Sequence, residues 1–398
     1  MLRRLLAIPL IGVVIGCSSE AVAPRPLPDE SATKFWDVGA TVRWNTIARE
    51  ETRSGVLNVF TGARMLTYLS LAQYNAAVAA LKANDRGEHP SIAAAVGGAS
   101  VALLSAAPFF PARAAFFEAQ LDAQEAGPRW PGEAHRDFAA GEALGRQIAA
   151  AVLASAATDG FTPSNAGVTV PVCPGCWFSA PGLLPAFPRL GEMRPFFLTS
   201  GSQFRPPAPP AFGSPALLAA LAEVRQVSDT RTPEQDASAK FWARPNGFAV
   251  IPANNYQVAT ELIVQHHLSE VRAAHTLALM GMASMDAFIA CHDAKYTYWL
   301  FRPSQADPGI TLSVPLPNFP SYPSNHACVS GASMAVLASL FPSEASRLNG
   351  LADEAALSRL LGGIHYRFDN NTGLVLGRRV AAWALAHDVS GHAAYALQ

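Results

Sequence analysis

Charge is scarce in this chain. Only 15% of its 398 residues are Asp, Glu, Lys or Arg, and they sum to a formal net charge of −1. A nearly neutral chain implies no polyanionic partner such as nucleic acid. Strand-like runs are few and short. There is no βαβ alternation, no repeat of solenoid period, and no low-complexity tract beyond a short N-terminal stretch. Half the residues are hydrophobic, so a sizeable core is available and disorder is not expected beyond the N-terminus. The expected class is therefore all-α, a compact assembly of helical bundles. Long apolar runs are also missing. Past the N-terminus, every apolar segment carries Gly, a charge or His at short intervals, so none reads as a membrane span.

Cysteine is sparse, with five residues in all. The first, Cys17, closes an N-terminal pattern. Arg3 and Arg4 precede an apolar run from Leu5 to Ile15, too short to span a bilayer, and Gly16 stands immediately before the Cys. This resembles a bacterial lipobox. It implies a signal peptide over 1–17, lipidation of Cys17, and a protein anchored on the extracytoplasmic side of a bacterial membrane, periplasmic or cell-surface. Export permits disulfides. Cys173 and Cys176 lie in a stretch dense in Pro and Gly, without the second pair a zinc site needs and without the βαβ setting of a redox motif, and a local disulfide is expected. Cys291 lies one helical turn before Lys295 and Cys328 two residues after His326; no bond is assigned to them.

Taken in order, residues 18–33 are Pro- and Ser-rich and read as a tether. Residues 34–160 show helical periodicity in several segments, the last ended by Asp159–Gly160. Residues 161–214 hold many Pro, Gly and aromatic residues and no sustained period; a stretch this long in a compact domain is functional or packs as an ordered excursion. Helices resume over 215–398. Ser214–Pro215 and Thr232–Pro233–Glu234–Gln235 are start signals, the second a capping box. Residues 255–300 read as almost continuous helix with a break near His267, ended by Pro303 just past Arg302.

The chemistry-bearing residues fall in three blocks. Lys295 and Arg302 are seven apart, two turns, and are expected on one helix face. Alone such a pair is usually a solvated basic face, but Tyr298, Trp299, Leu300 and Phe301 make its surroundings apolar, which is costly for unpaired cations. Ser324, Asn325 and His326 stand at a helix start, where free N–H groups favour an anion; Ser324 is equally an ordinary N-cap. Arg359 and His365 flank Gly362–Gly363, and Asp369 follows His365 by four, placed to fix its tautomer. Three fixed cations, two imidazoles and a helix start suit a tetrahedral oxyanion.

Together, Lys295-x6-Arg302–Pro303, Pro323–Ser324–Asn325–His326 and Ser358–Arg359-x5-His365-x3-Asp369 resemble the signature of the type 2 phosphatidic acid phosphatase and vanadium haloperoxidase superfamily. Phe319–Pro320-x-Tyr322–Pro323–Ser324-x-His326–Ala327 is similar to its soluble bacterial haloperoxidase-like branch, as are Asp286–Ala287 and Arg205–Pro206–Pro207. The resemblance covers about 200–390 and is faint over 35–160. It implies that Lys295, Arg302 and Arg359 neutralise vanadate or phosphate and that Ser324 and the Asn325 N–H hydrogen-bond it. His365 would bind vanadium or attack phosphorus, Asp369 would orient His365, and His326 would be the general acid–base. It implies vanadate as cofactor, acting as a Lewis acid on hydrogen peroxide for oxidation of a halide. The alternative is a phosphate monoester hydrolase of acid phosphatase type, with no cofactor and a phosphate ester as substrate. A third reading is a non-catalytic oxyanion-binding lipoprotein.

Two positions depart from the family. Asn325 replaces its Gly, adding bulk and a dipole beside the anion while keeping the N–H. His292, three before Lys295, stands where this branch commonly has Trp. With Phe319 it is a candidate for tuning halide or substrate choice.

Overall fold

The computed structural model describes residues 38–130, 132–244, 247–248, 251–389 and 393–397. The signal peptide, Cys17 and the 18–33 tether lie outside the described residues. Within them the chain forms thirteen α-helices and no strand, as the all-α expectation requires. They are α1 Ala40–Thr52, α2 Val59–Asp85, α3 Ile92–Leu104, α4 Ala114–Ala126, α5 Phe138–Ala156, α6 Pro215–Thr230, α7 Pro233–Ala243, α8 Ile251–Gln265, α9 Glu270–Tyr298, α10 Pro303–Ala306, α11 Asn325–Leu340, α12 Ala345–Leu361 and α13 Arg367–Ala386.

Local chemistry starts most of these helices. The Asn58 side chain accepts from the Phe60 and Thr61 N–H groups, Ser91 from Ala94 and Ser214 from Leu217. Thr232 and Gln235 complete the expected capping box. Helix α1 has Gly39 at its N-cap and no side-chain cap of its own. Glu270, at the start of α9, supplies the acceptor instead, taking the Ala40 and Thr41 N–H groups at 3.0 and 2.6 Å. A carboxylate at that end also complements the helix dipole.

Helix α9 is the central strut, packing against α2, α8, α11 and α13. Its length and apolarity would suffice to cross a bilayer, but it is almost wholly buried within the protein. Helices α11 and α13 pack unusually close. A Cβ added at Gly377 would lie 2.2 Å from the Cys328 carbonyl oxygen, and one at Gly373 would lie 2.8 Å from that of Ser324. Those two glycines bring the start of α13 against the start of α11.

The 161–214 segment is irregular yet anchored to this frame at several points. Buried Asp286 on α9 accepts the backbone N–H groups of Phe196, Phe197 and Leu198 at 2.7, 2.7 and 3.0 Å. Arg205 makes a two-pronged ion pair with Asp293 at 2.6 and 2.7 Å, and Tyr298 and Tyr322 donate to the Pro206 and Pro207 carbonyls. Cys173 and Cys176 are disulfide-bonded; Cys291 and Cys328 are buried free thiols. The disulfide loop pairs with the chain leaving α9: Trp177 N–H donates to Trp299 at 2.6 Å and Phe301 N–H to Gly175 at 3.1 Å.

One expectation is corrected here. Lys295 and Arg302 do not share a helix face. Helix α9 stops at Tyr298, where Trp299 turns left-handed (φ +51°). Arg302 is extended and stands at the N-cap of α10. Pro303 disfavours a helical residue before it and suits the first position of a new helix. The break near His267 is real (φ +50°). Helix α13 begins at Arg367, two residues after His365.

Candidate active site

Four chain segments meet at one buried point: the end of α9 with the extended run to Arg302, the 319–324 loop, the start of α11, and the α12–α13 junction. Lys295 is fully buried. Its three protons go to the backbone carbonyls of Pro320, Ser321 and Pro323, so it fixes the loop that delivers Ser324. Arg302, also fully buried, donates from Nε to the Phe319 carbonyl at 3.0 Å and from Nη1 to the Ile364 carbonyl at 2.8 Å. Its Nη2 is buried without a partner. Arg359 donates to the Ala239 carbonyl of α7 at 2.7 Å and to Ser358 Oγ at 3.0 Å.

His365 is 2% exposed, far from the weak surface His–Asp pair that spacing alone permits. Its Nδ1 lies 2.8 Å from Asp369 Oδ2, and the same carboxylate oxygen accepts from Ser321 Oγ and the Tyr366 N–H. A carboxylate at Nδ1 holds the proton there and leaves the Nε2 lone pair free. Arg302 Nη1 donates to that Nε2 at 2.9 Å. His326, half-buried, has Nε2 2.9 Å from the Trp242 carbonyl, so its proton is on Nε2 and its basic atom is Nδ1.

Ser324 occupies the N-cap position of α11, but its side chain makes no capping bond. Its Oγ is buried and unpartnered, which is not how a capping serine behaves. The first helical N–H to bond back is that of Cys328, to the Ser324 carbonyl. The N–H groups of 325–327 therefore face out of the helix end.

Three buried cations thus stand against one buried carboxylate. Burial lowers Lys295 to about 8, Arg359 to about 9 and Arg302 to about 10, with mutual repulsion contributing to each of the first two. Burial raises Asp369 to about 6 against the pull of Ser321, Lys295 and Arg302. His365 and His326 are held well below the ordinary imidazole range by burial and by the cations, so both are neutral. That excess of buried positive charge is costly by itself and suits an anion. Two of the site's unpartnered buried atoms, Ser324 Oγ and Arg302 Nη2, are donors that suit an oxyanion. Among the described residues no cluster of His, Cys, Asp and Glu could hold a bare metal ion.

Aromatic rings wall the cations. Phe319 lies 5.2 Å from Lys295 Nζ and 5.1 Å from Arg302 Cζ, a cation–π arrangement. His292 packs against Phe60, Phe288 and Phe319. Burial and Lys295 hold it neutral. Its Nε2 is 3.1 Å from Asn325 Nδ2.

The structure therefore brings together Lys295, Arg302, Ser324, Asn325, His326, Arg359, His365 and Asp369, with His292 and Phe319 at the edge. Sequence reading missed Ser321 and the Ala239 and Trp242 carbonyls. Ser321 lay inside the motif-bearing loop, but no spacing tied it to Asp369; backbone carbonyls leave no residue signature at all.

Residues 274–392 match the PAP2 superfamily. No curated protein matches the chain. Among solved structures, a bacterial vanadium-dependent iodoperoxidase is similar at a TM-score of 0.74 and 24% identity, over 89% of this chain and 96% of that one. A bacterial vanadium-dependent chloroperoxidase is similar in its apo form (TM-score 0.68, 13% identity, 82% and 93% of the two chains) and its holo form (0.67, 13%, 84% and 94%). At these identities the likeness is one of fold.

Proposed function

We propose, from the premise that residues 274–392 belong to the PAP2 superfamily, that this protein is a vanadate-dependent haloperoxidase-type enzyme. The observation that carries the reading is the His365 site: a buried imidazole with its Nε2 lone pair free of protons, amid three cations and two unpartnered donors. That donor set fits vanadate. His365 Nε2 would be its one protein ligand, with Lys295, Arg302, Arg359, Ser324 Oγ and the Asn325 N–H around its oxygens. Bound there, vanadate supplies Lewis-acid activation of hydrogen peroxide toward a halide.

The chain's own residues do the rest. Asp369 keeps the His365 proton on Nδ1 and so keeps Nε2 available. Arg302, whose Nη1 donates to Nε2 at 2.9 Å, would give that hydrogen bond to the anion. His326 takes and returns a proton at Nδ1, its ring fixed by the Trp242 carbonyl. Phe319 and the rings packed around it exclude water from the cationic side. They also offer polarisable edges beside a cation, surroundings that suit a halide better than a strongly hydrated ester.

A second reading is a phosphate monoester hydrolase. The same free Nε2 of His365 is a competent nucleophile toward phosphorus, with His326 protonating the leaving alkoxide. The Asn325–His292 pair favours it by adding polar groups beside the anion. The test is peroxide-dependent bromide and iodide oxidation by the purified protein, before and after incubation with orthovanadate and with phosphate excluded, beside hydrolysis of p-nitrophenyl phosphate. Halide oxidation only with vanadate is expected. Tight vanadate binding with no halide oxidation, but with ester hydrolysis, would put the phosphatase reading first.

A further inference from the structure

One side chain in the site has the opposite polarity to its neighbours. Arg302, Ser324 and Arg359 offer protons, and Lys295, its own protons committed to the loop carbonyls, offers charge. Asn325 is 3% exposed and ends in an oxygen, Oδ1, that is buried and has no partner. Its orientation is dictated from outside the site. Its NH2 faces His292 Nε2, with Nδ2 at 3.1 Å, so Nε2 is the acceptor and the imidazole proton sits on Nδ1, which is buried without a hydrogen-bond partner. With Nδ2 held there, Oδ1 is turned away from His292. The rings of Phe60, Phe288 and Phe319 hold the imidazole in place.

We propose that Asn325 makes this site selective for protonated tetrahedral oxyanions, its Oδ1 accepting a hydrogen bond from an O–H of the bound anion. The inference rests on the oxyanion reading above and adds to it a choice among anions. Donor groups accept any tetrahedral anion of suitable charge. A buried acceptor admits only one that has a proton to give, because otherwise two lone pairs face each other and a polar atom stays unsatisfied. Hydrogenphosphate and hydrogenvanadate satisfy it; sulfate does not. Two other acceptors are close but do not serve this purpose. His326 Nδ1, on a half-buried ring, is the atom that takes and returns the proton of the reaction. Asp369 holds His365 at Nδ1 through Oδ2, across the ring from Nε2, although its Oδ1 is itself buried without a partner. Asn325 and His292, the two departures from the family pattern, thus act as one device, with Asn325 determining specificity and His292 positioning it.

The test is calorimetric titration of the purified full chain near neutral pH with inorganic phosphate, orthovanadate and sulfate separately. Phosphate and orthovanadate are expected to bind at least about tenfold more tightly than sulfate, the worth of one well-placed buried hydrogen bond. Asn325→Gly, which keeps the helix-start N–H, should collapse that ratio toward one. His292→Phe, which removes no anion donor but frees the amide to turn, should erode it in the same direction. Equal binding of phosphate and sulfate by the wild type, or a preference that survives in both variants, would overturn the proposal and leave the oxyanion site standing. Failure of the wild type to bind any of the three anions would overturn the oxyanion reading and this inference together.

Discussion

On the proposed reading the chemistry turns on His365, whose proton Asp369 holds on Nδ1. Asp369→Asn keeps shape but removes the charge that holds the proton on Nδ1; orthovanadate or phosphate affinity should fall by about 10–100-fold, measured by titration. His365→Ala should abolish turnover, whichever of the two reactions is assayed, and unchanged turnover would remove His365 from the site. Lys295 makes a pH prediction. Its folded value is about 8, below the ordinary lysine value of about 10.4. Between these limits the unfolded chain binds more protons than the folded one, so this group adds stability to the ligand-free protein as pH rises. Over the same window the site loses a positive charge, so phosphate affinity should weaken as pH passes about 8, and Lys295→Gln should flatten that slope. Most of these residues were legible in the sequence, because Lys, Arg, His and Asp at fixed intervals carry a chemical signature. The Trp242 and Ala239 carbonyls that aim His326 and Arg359 were not, since any residue type there presents the same backbone oxygen.

At the scale of elements, the site depends on where helices stop and how closely they approach. Seven-residue spacing suggested that Lys295 and Arg302 ride one helix. The left-handed Trp299 and the Arg302–Pro303 step instead send the chain out of α9 and back toward His365, and this places Arg302 Nη1 on the His365 ring. Spacing alone could not show that turn, because a left-handed Trp is set by the tertiary contacts of the disulfide loop at Trp177 and Gly175. The α11–α13 approach was equally hidden, being a matter of which glycines face a neighbouring backbone. Gly377→Ala would put a methyl group 2.2 Å from the Cys328 carbonyl oxygen. It should cost roughly 1–3 kcal/mol and lower turnover, because Asp369 meets Ser324 across the same contact, its carbonyl accepting the Ser324 N–H at 3.1 Å. Denaturant unfolding and an activity assay on the same preparation check both halves. The irregular 161–214 segment has a comparable hinge on α9. Asp286→Ala removes the acceptor of three N–H groups and should cost about 2–4 kcal/mol, with amide exchange accelerated first at Phe196–Leu198. Loss of stability without faster exchange there would mean that the carboxylate does not hold the segment.

Across the whole molecule, the all-α class followed from composition and period, whereas the path of 161–214 did not, because its structure comes from contacts with α9 and leaves no local period. The same long-range packing gathers three cations and one carboxylate in a dry centre, an arrangement that opposes folding until an anion arrives. Stability of the full chain should therefore be tied to oxyanion concentration. A ligand that binds only the folded protein stabilises it by about 2.7 kcal/mol at a hundredfold excess over its Kd. With an unfolding entropy of about 2 cal/mol/K per residue, a folded unit of this size should gain about 3–4 °C in Tm. Thermal unfolding with and without orthovanadate, and separately with phosphate, measures this directly. The rise should be absent in His365→Ala with orthovanadate, and a chelator of divalent cations should leave every curve in place. A Tm that responds to divalent cations and ignores both anions would contradict the charge argument at its root, since three buried cations cannot favour a fourth.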